Sequence, residues 1–320
     1  MLKQLKARKW NNTTVVCIIL LIFFIYTIFP SNFATHYPYI SKDDLISSLV
    51  VNNLPKSNDT QEFCKYQDLV RNNEYFYVSE NIEKIHEPED INAGGEFFPL
   101  DCQAVYRTAV IVPYRNRESQ LETFLIYMHN YLRRQRIHYR IFVIEQNDSK
   151  PFNRAKLFNI GSVIAKRFNY NCMILHDVDL LPMYLGQLYG CTTLPRHMCA
   201  GVSDFRYNLL YKELFGGVVS ITLDQFNQIN GLSNLYEGWG GEDDDFFARL
   251  EATKIPICRF APPFNIYYML PHKKETPNSN RRNLLVNAVQ RHRYEGLNTL
   301  NFKEKAVEIK TLFTRVLVDT

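Results

Sequence analysis

Thr108-Ala109-Val110-Ile111-Val112-Pro113-Tyr114-Arg115-Asn116-Arg117 opens the part of this 320-residue chain whose pattern decides the fold. From Thr108 to Val112 the chain is apolar and largely β-branched, and a proline ends the run. That is the pattern of a strand buried on both faces. Working outward, a helix is expected from Glu118 to about Arg134, a second strand from Arg140 to Ile144, and a second helix from Arg154 to Arg167. A third strand, Cys172 to Leu175, runs into His176-Asp177-Val178-Asp179. Strands alternating with helices predict an α/β sheet, and such sheets bind ligands beyond the carboxyl ends of their strands. The loops at Pro113 to Arg117 and at His176 to Asp179 are therefore expected to face one crevice.

With 46% hydrophobic and 22% charged residues the chain can bury a full core, which excludes wholesale disorder. A net charge of +4, without a Lys/Arg stripe interleaved with aromatics, argues against nucleic acid as a partner. Lys3, Lys6, Arg8 and Lys9 precede an uncharged, Ile/Leu/Val/Phe-rich stretch from Thr13 to Phe29. At about 17 residues this is the short end of what crosses a bilayer. The basic flank should stay cytosolic. The expectation is a cytosolic tail (1–12), a signal-anchor (13–29) and a type II orientation with the remainder lumenal. A cleaved signal peptide is the competing reading, but the run is long for one and no small-x-small site follows.

From Ser31 to about Leu100 the chain is polar and broken by Pro38, Pro55 and Pro99, the composition of a stem with some local structure. Cys64, Cys102, Cys172, Cys191, Cys199 and Cys258 fall on the lumenal side, where an oxidising compartment favours pairing, and sequence alone leaves the connectivity open. The absence of C-x-x-C argues against zinc. Asn58-Asp59-Thr60 and Asn147-Asp148-Ser149 are glycosylation sequons.

Two constellations carry chemistry. Asp177-Val178-Asp179 puts two carboxylates at a strand end, where alternation would turn both to one side, a pair suited to a divalent cation on a diphosphate. Arg115 and Arg117 could grip phosphate or frame a base. Further on, Glu237-Gly238-Trp239-Gly240-Gly241-Glu242-Asp243-Asp244-Asp245 sets four acids behind a glycine-hinged tryptophan, immediately before a helical run. Acids in a first turn suit the helix dipole, so an ordinary helix start accounts for part of it. The glycines let a ligand approach, and Trp239 offers a flat face for a sugar ring. A carboxylate crowded by its neighbours should have a raised pKa and could take a proton from a hydroxyl.

These motifs together resemble the β-1,4-galactosyltransferase family. The resemblance rests on Pro113-Tyr114-Arg115-Asn116-Arg117, Phe152-Asn153-Arg154-Ala155-Lys156-Leu157-Phe158-Asn159, Asp177-Val178-Asp179-Leu180-Leu181-Pro182, Phe215-Gly216-Gly217-Val218 and Gly238 through Asp245, in this order. It runs from about Cys102 to the C-terminus, so residues 101–320 are expected to form the catalytic domain and 30–100 the stem with the first part of the family region. It implies a GT-A type fold, a Rossmann-like mixed sheet flanked by helices behind an N-terminal transmembrane helix, in a Golgi membrane. It implies Mn²⁺ held by Asp179, Met269 and His272. A thioether is an odd partner for Mn²⁺, and physical reasoning alone assigns Met269 to the core. It implies contacts to a UDP-sugar from Pro113, Tyr114, Arg115, Arg117, Phe152, Arg154, Asp177, Val178, Leu214, Gly217 and Glu242. On the acceptor side it implies Tyr211, Trp239, Gly240, Asp244 and Arg281, with GlcNAc the expected acceptor. Asp243 matches the general base of an inverting displacement, and Asp245 remains the helix start. Cys64 with Cys102 and Cys172 with Cys191 match the family's two disulfides, leaving Cys199 and Cys258 as buried thiols.

Departures from the family pattern are informative. Leu214 stands where vertebrate galactosyltransferases carry tyrosine beside the donor's C2 substituent, which leaves room for an N-acetyl group and predicts use of UDP-GalNAc beside or ahead of UDP-Gal. Asp204, in Ser203-Asp204-Phe205, replaces a lysine that can approach UDP. Glu237 replaces an aromatic, Arg282 a phenylalanine, and the His272 to Asn278 lid segment is short. Two other classes compete: a lectin that kept the fold without turnover, and a glycoside hydrolase using paired carboxylates. The complete Asp179, Met269, His272 and Asp243 set argues against the first, and the arginine-rich turn with D-x-D against the second.

Overall fold

The computed structural model describes residues 11–28, 37–49, 62–76, 88–105, 107–262, 264–273 and 276–320. The basic flank at Lys3 to Lys9, Phe29, the sequon at Asn58, and Lys274 with Glu275 of the lid segment lie outside the described residues. Three parallel neighbours form the centre of the sheet: Arg107–Tyr114 lies between His138–Gln146 and Cys172–His176. Thr314–Asp319 continues the parallel set beside His138–Gln146, and antiparallel Lys303–Ile309 follows it outward. On the other side Val218–Thr222 pairs antiparallel with Cys172–His176, and Arg196–His197 and Cys258–Arg259 complete the row. The sheet is thus mixed, and both expected helices flank it, at Glu118–Leu132 and Arg154–Arg167.

Strand alternation divides the core in two. Val110, Val112, Ile141, Val143 and Ile174 face one apolar cluster, which Phe124, Leu125 and Met128 of the Glu118–Leu132 helix fill. Ala109, Ile111, Phe142, Ile144, Met173 and Leu175 face another, filled by Leu157, Phe158, Ile160 and Ile164 of the Arg154–Arg167 helix. Cover on both faces is why these strands read as unbroken apolar runs. Each fully buried Leu, Ile or Phe here contributes roughly 1.5–3 kcal/mol. The Arg154–Arg167 helix starts where it does because the Asn153 side chain caps it, accepting from the Lys156 N–H, while Lys166 and Arg167 suit its C-terminal end.

Residues read as stem contribute to this core. Leu45, Cys64, Tyr66 and Val70 are buried in the first cluster, and short helices run at Lys42–Ser48 and Gln67–Arg71. Isolated bridges tie Ile40 to Phe260, Leu49 to Thr192 and Tyr75 to Tyr184. Disulfides join Cys64 to Cys102 and Cys172 to Cys191, and Cys199 and Cys258 are buried free thiols. The N-terminal apolar stretch forms a helix, Asn12–Ile28, of 17 residues with Phe23 65% exposed. No helix among the described residues is long and apolar enough to cross a membrane.

Candidate active site

The carboxyl ends of the parallel strands carry the expected residues side by side. Tyr114 ends one strand, and Asp177 and Asp179 follow its neighbour. The chain turns sharply after His176, with the Leu180 N–H donating to the Asp177 carbonyl at 3.3 Å. Asp177 to Asp179 are therefore a turn rather than strand, so strand alternation does not set the direction of the two carboxylates, a correction to the expectation above. Asp177 accepts from Arg154 Nε at 2.6 Å, whereas Asp179 pairs with His272 Nδ1 at 3.0 Å.

His272 reaches Asp179 across some ninety positions of sequence because Ile266–Met269 pairs antiparallel with Leu180–Pro182, Met269 opposite Leu180. The Leu270 N–H then donates to the Asp179 carbonyl at 2.7 Å, and the Met269 N–H to Ser203 Oγ at 2.9 Å. Ser203 is thus a positioning group that sequence reasoning missed. Hydrogen bonding to Asp179 raises the pKa of His272. One carboxylate oxygen and one imidazole nitrogen in contact fit a borderline-hard divalent cation such as Mn²⁺. Met269 lies at the paired strand end, partly buried against the first apolar cluster, as the core assignment expected. Among the described residues no group of three His, Cys, Asp or Glu side chains converges on a metal position.

Arg154 is the hub of the crevice. Besides Asp177, it donates through Nη1 to Asp243 at 2.7 Å and approaches Glu242 at 3.5 Å. All four acids of the glycine-rich tract fall in the first turn of the Glu242–Ala252 helix, but they take different partners. Burial, with the Asp243 charge adding to it, pushes Glu242 up to about 7, and burial pushes Asp177 up to about 6. Burial also raises Asp244, whose Oδ1 accepts from the Tyr211 hydroxyl at 2.8 Å. Asp245 is more than a solvated helix start: 1% exposed, it binds Arg249 Nε at 2.6 Å, Arg291 Nη2 at 2.5 Å and the Tyr236 hydroxyl at 3.1 Å. The base candidate Asp243 lies against the Phe215-Gly216-Gly217 turn, where a β-carbon on Gly216 would stand 2.0 Å from its Oδ2. The Asp177 N–H donates to the Gly217 carbonyl at 3.0 Å, tying this turn to the D-x-D turn.

Trp239 is 56% exposed, with the Arg281 guanidinium 5.1 Å from its ring centre. Gly238, Gly240 and Gly241 all have positive φ, which gives the tract the sharp turns a side chain would resist. Thr276 to Asn278 pack on this loop, the Trp239 N–H donating to the Thr276 carbonyl at 3.0 Å and the Asn278 N–H to the Trp239 carbonyl at 2.9 Å. A cleft of about 670 Å³ runs from Glu237 and Gly238 to Pro151 and Asn280. On the other flank Arg115 lies 5.3 Å from the Phe152 ring and donates to the Lys150 carbonyl at 2.6 Å, and Arg117 donates to the Lys273 carbonyl at 2.9 Å. Arg117 Nη1, Arg281 Nη1 and Glu242 Oε2 are buried without hydrogen-bond partners. Such orphans are costly unless a ligand satisfies them. Leu214 is half-buried at the entry to the same turn.

Residues 67–192 match the N-terminal region of glycosyl transferase group 7, and residues 196–273 match the N-terminal domain of galactosyltransferase. β-1,4-Galactosyltransferase 4 of Cricetulus griseus is 39% identical over 242 residues, 74% of this chain and 70% of that protein. β-1,4-Galactosyltransferase 1 of Mus musculus is 40% identical over 234 residues, 72% of this chain and 59% of that protein. Among solved structures, the catalytic domain of Drosophila β-1,4-galactosyltransferase 7 with xylobiose aligns at a TM-score of 0.58 and 29% identity, covering 67% of this chain and 93% of that one. A mutant of the same enzyme, with manganese, UDP-Gal and xylobiose, aligns at 0.57 and 28% over the same shares. The chain belongs to the β-1,4-galactosyltransferase family, has the family's GT-A-like mixed α/β fold, and is a hexosyltransferase.

Proposed function

We propose that this family member is an inverting, Mn²⁺-dependent transferase that moves galactose or N-acetylgalactosamine from UDP to the O4 hydroxyl of a terminal GlcNAc, in β1,4 linkage. The observation that carries the reading is one crevice holding the Asp179–His272 pair, the Arg154–Asp243 pair and the orphaned polar atoms of Arg117, Arg281 and Glu242. A relative's complex with manganese, UDP-Gal and xylobiose supports the donor and metal classes.

On this reading Pro113, Tyr114, Arg115, Arg117, Phe152, Asp177 and Val178 hold UDP, while Leu214, Gly217 and Glu242 border the donor sugar. Trp239, Gly240 and Arg281 seat the acceptor, whose hydroxyls Asp244 and Tyr211 fix. Asp243 accepts the O4 proton as that oxygen attacks C1 and the C1–O bond to UDP breaks on the opposite face. Arg154 keeps the Asp243 carboxylate in place through its 2.7 Å bond. A Mn²⁺ ion held by Asp179, Met269 and His272 would stabilise charge on the departing diphosphate. Leu214, smaller than tyrosine and without a hydroxyl, supports UDP-GalNAc as the preferred sugar, a difference of about 1–3 kcal/mol. The 17-residue apolar helix supports a type II anchor in a thin early-secretory or Golgi membrane, with 1–12 cytosolic and 101–320 a lumenal catalytic domain.

The test is transfer to a GlcNAc acceptor from each donor, with Mn²⁺ or EDTA. The unsubstituted chain should turn over only with metal, and Asp243→Asn should lose about 10²–10⁴-fold in kcat. Metal-independent sugar release would support the hydrolase instead, and binding without turnover the lectin.

A further inference from the structure

Behind the Leu214–Gly217 turn lies a buried polar chain that the reaction itself does not use. Arg259 donates through Nη2 to the carbonyls of Lys212 at 2.9 Å and Leu214 at 2.7 Å, and through Nε to His197 Nδ1 at 2.9 Å. Since that nitrogen accepts, the proton of neutral His197 sits on Nε2, which donates to the Gly216 carbonyl at 3.1 Å. Burial, reinforced by Arg259, holds the pKa of His197 well below its usual value and keeps this tautomer neutral. Cys199 completes the brace, its thiol donating to the same carbonyl at 3.1 Å and accepting from the Val218 N–H at 3.0 Å. Arg259, His197 and Cys199 are 4%, 1% and 3% exposed, so the brace has little freedom to shift.

Its outer end is a segment far away in sequence. The Tyr37 ring centre lies 5.5 Å from the Arg259 guanidinium, and the Tyr37 hydroxyl accepts from Asn265 Nδ2 at 2.5 Å. Ile40 pairs with the same strand, its N–H donating to the Arg259 carbonyl at 2.9 Å. A contact chain therefore runs from Tyr37 through Arg259 to Leu214, the residue proposed to border the donor sugar, and through His197 to Gly216, the residue against Asp243.

Resting on the transfer reading above, we infer that Arg259 and His197 are positioning residues for donor selectivity, and that the Tyr37 to Ile40 segment is a working part of the donor pocket rather than a passive tether. Tyr37 clamps one side of the guanidinium; the guanidinium fixes the carbonyls of Lys212 and Leu214 at the entry to the turn; the turn fixes how much room Leu214 leaves at the sugar's C2.

The experiment uses the full chain in detergent, with kcat/KM measured for UDP-Gal and UDP-GalNAc, thermal unfolding, and hydrogen exchange at the amides of Leu214 to Val218. Arg259→Lys, which cannot span both carbonyls and His197 in one plane, and Tyr37→Ala, which removes the clamp, should each move the donor ratio about three- to tenfold toward parity and speed exchange in the turn. Tyr37→Phe keeps the ring over the guanidinium and should keep the parental ratio. If Arg259→Lys does not fold, Tyr37→Ala decides, because Tyr37 lies outside the buried core. Equal losses with both donors, with turn exchange unchanged, would overturn the inference and leave the transfer reading standing. Absence of transfer by the unsubstituted chain would overturn both.

Discussion

Replacing Gly216 with alanine separates the fold from the chemistry. The added β-carbon would stand 2.0 Å from Asp243 Oδ2, 2.1 Å from Cγ and 2.5 Å from Oδ1, so its three nearest neighbours all belong to one side chain. Restoring ordinary contact at roughly 3.5 Å requires the carboxylate to retreat by about 1.5 Å. The obstacle is the end of a side chain, not backbone, so the domain can accommodate the methyl by turning Asp243 aside. Doing so breaks its 2.7 Å bond to Arg154 and would take the proposed base out of line with the acceptor hydroxyl. Misplacement by about 1 Å costs about 10²-fold in rate, so kcat of Gly216→Ala should fall by about two orders of magnitude. Its thermal midpoint should stay within a few degrees of the parent. Steady-state kinetics with GlcNAc and Mn²⁺, beside calorimetry on the same preparation, measure both. A Gly216→Ala enzyme of parental kcat would refute Asp243 as the base in this geometry. A large loss of stability would refute the claim that only a side-chain tip is in the way.

Other outcomes follow from the same contacts. Leu214→Tyr should push donor choice toward UDP-Gal by about 5- to 150-fold, the range that one group in a tight pocket commands; an unchanged ratio of kcat/KM values would sink the assignment of Leu214 to the donor pocket. Glu242 has a folded pKa of about 7, above its value in the unfolded chain, so the folded state keeps a proton there that the unfolded state loses. Its contribution is complete below about pH 4.5 and is lost as pH rises through 7. Glu242→Gln should therefore gain stability over the parent from pH 5 to pH 8, by an amount on the order of 3 kcal/mol, and denaturant melts across that range will show whether the gap widens. Asp245→Ala leaves Arg249 buried without its 2.6 Å partner and should destabilise the fold by about 3–5 kcal/mol, read as a shift in the urea midpoint.

The central strands were legible because cover on both faces leaves an unmistakable apolar signature, and the Arg154–Arg167 helix lies where the sequence places it, its start fixed by the Asn153 cap. The crevice was legible too, since the ends of parallel strands define it. Less was visible wherever long-range pairing decides the outcome. The Asp177 turn cannot be seen in a D-x-D, which reads equally well as strand. The approach of His272 to Asp179 depends on the antiparallel register of Met269 with Leu180, and no local pattern around His272 announces it. It came only through resemblance. Buried cations are the third gap: nothing in the local sequence marks Arg249 or Arg259 as interior, yet they are 0% and 4% exposed, Arg249 reaching Glu295 and Arg259 reaching His197 and Leu214.

Cations held inside the fold explain how one helix turn can carry four consecutive acids. A helix dipole favours negative charge near its first turn by at most about 1–2 kcal/mol, and like charges crowded into one turn repel, Glu242 and Asp245 three residues apart on one face, so the dipole alone could not hold Glu242 through Asp245 together in a crevice of low exposure. The fold divides them instead. Asp245 turns inward to Arg249 and Arg291, with Glu295 completing that cluster at 3.0 Å from Arg249. Asp243 and Glu242 turn to Arg154, which Asp177 shares, and Asp244 turns to the Tyr211 hydroxyl. The inner pairs anchor the helix, so their geometry is independent of substrate. The outer set is short of cationic charge, three carboxylates sharing one guanidinium, and burial raises Glu242 and Asp177 in consequence. An undercompensated carboxylate group beside an Asp179–His272 pair is an arrangement that gains from a divalent cation and from hydroxyl donors, which are what a metal-bound sugar nucleotide and a sugar acceptor bring.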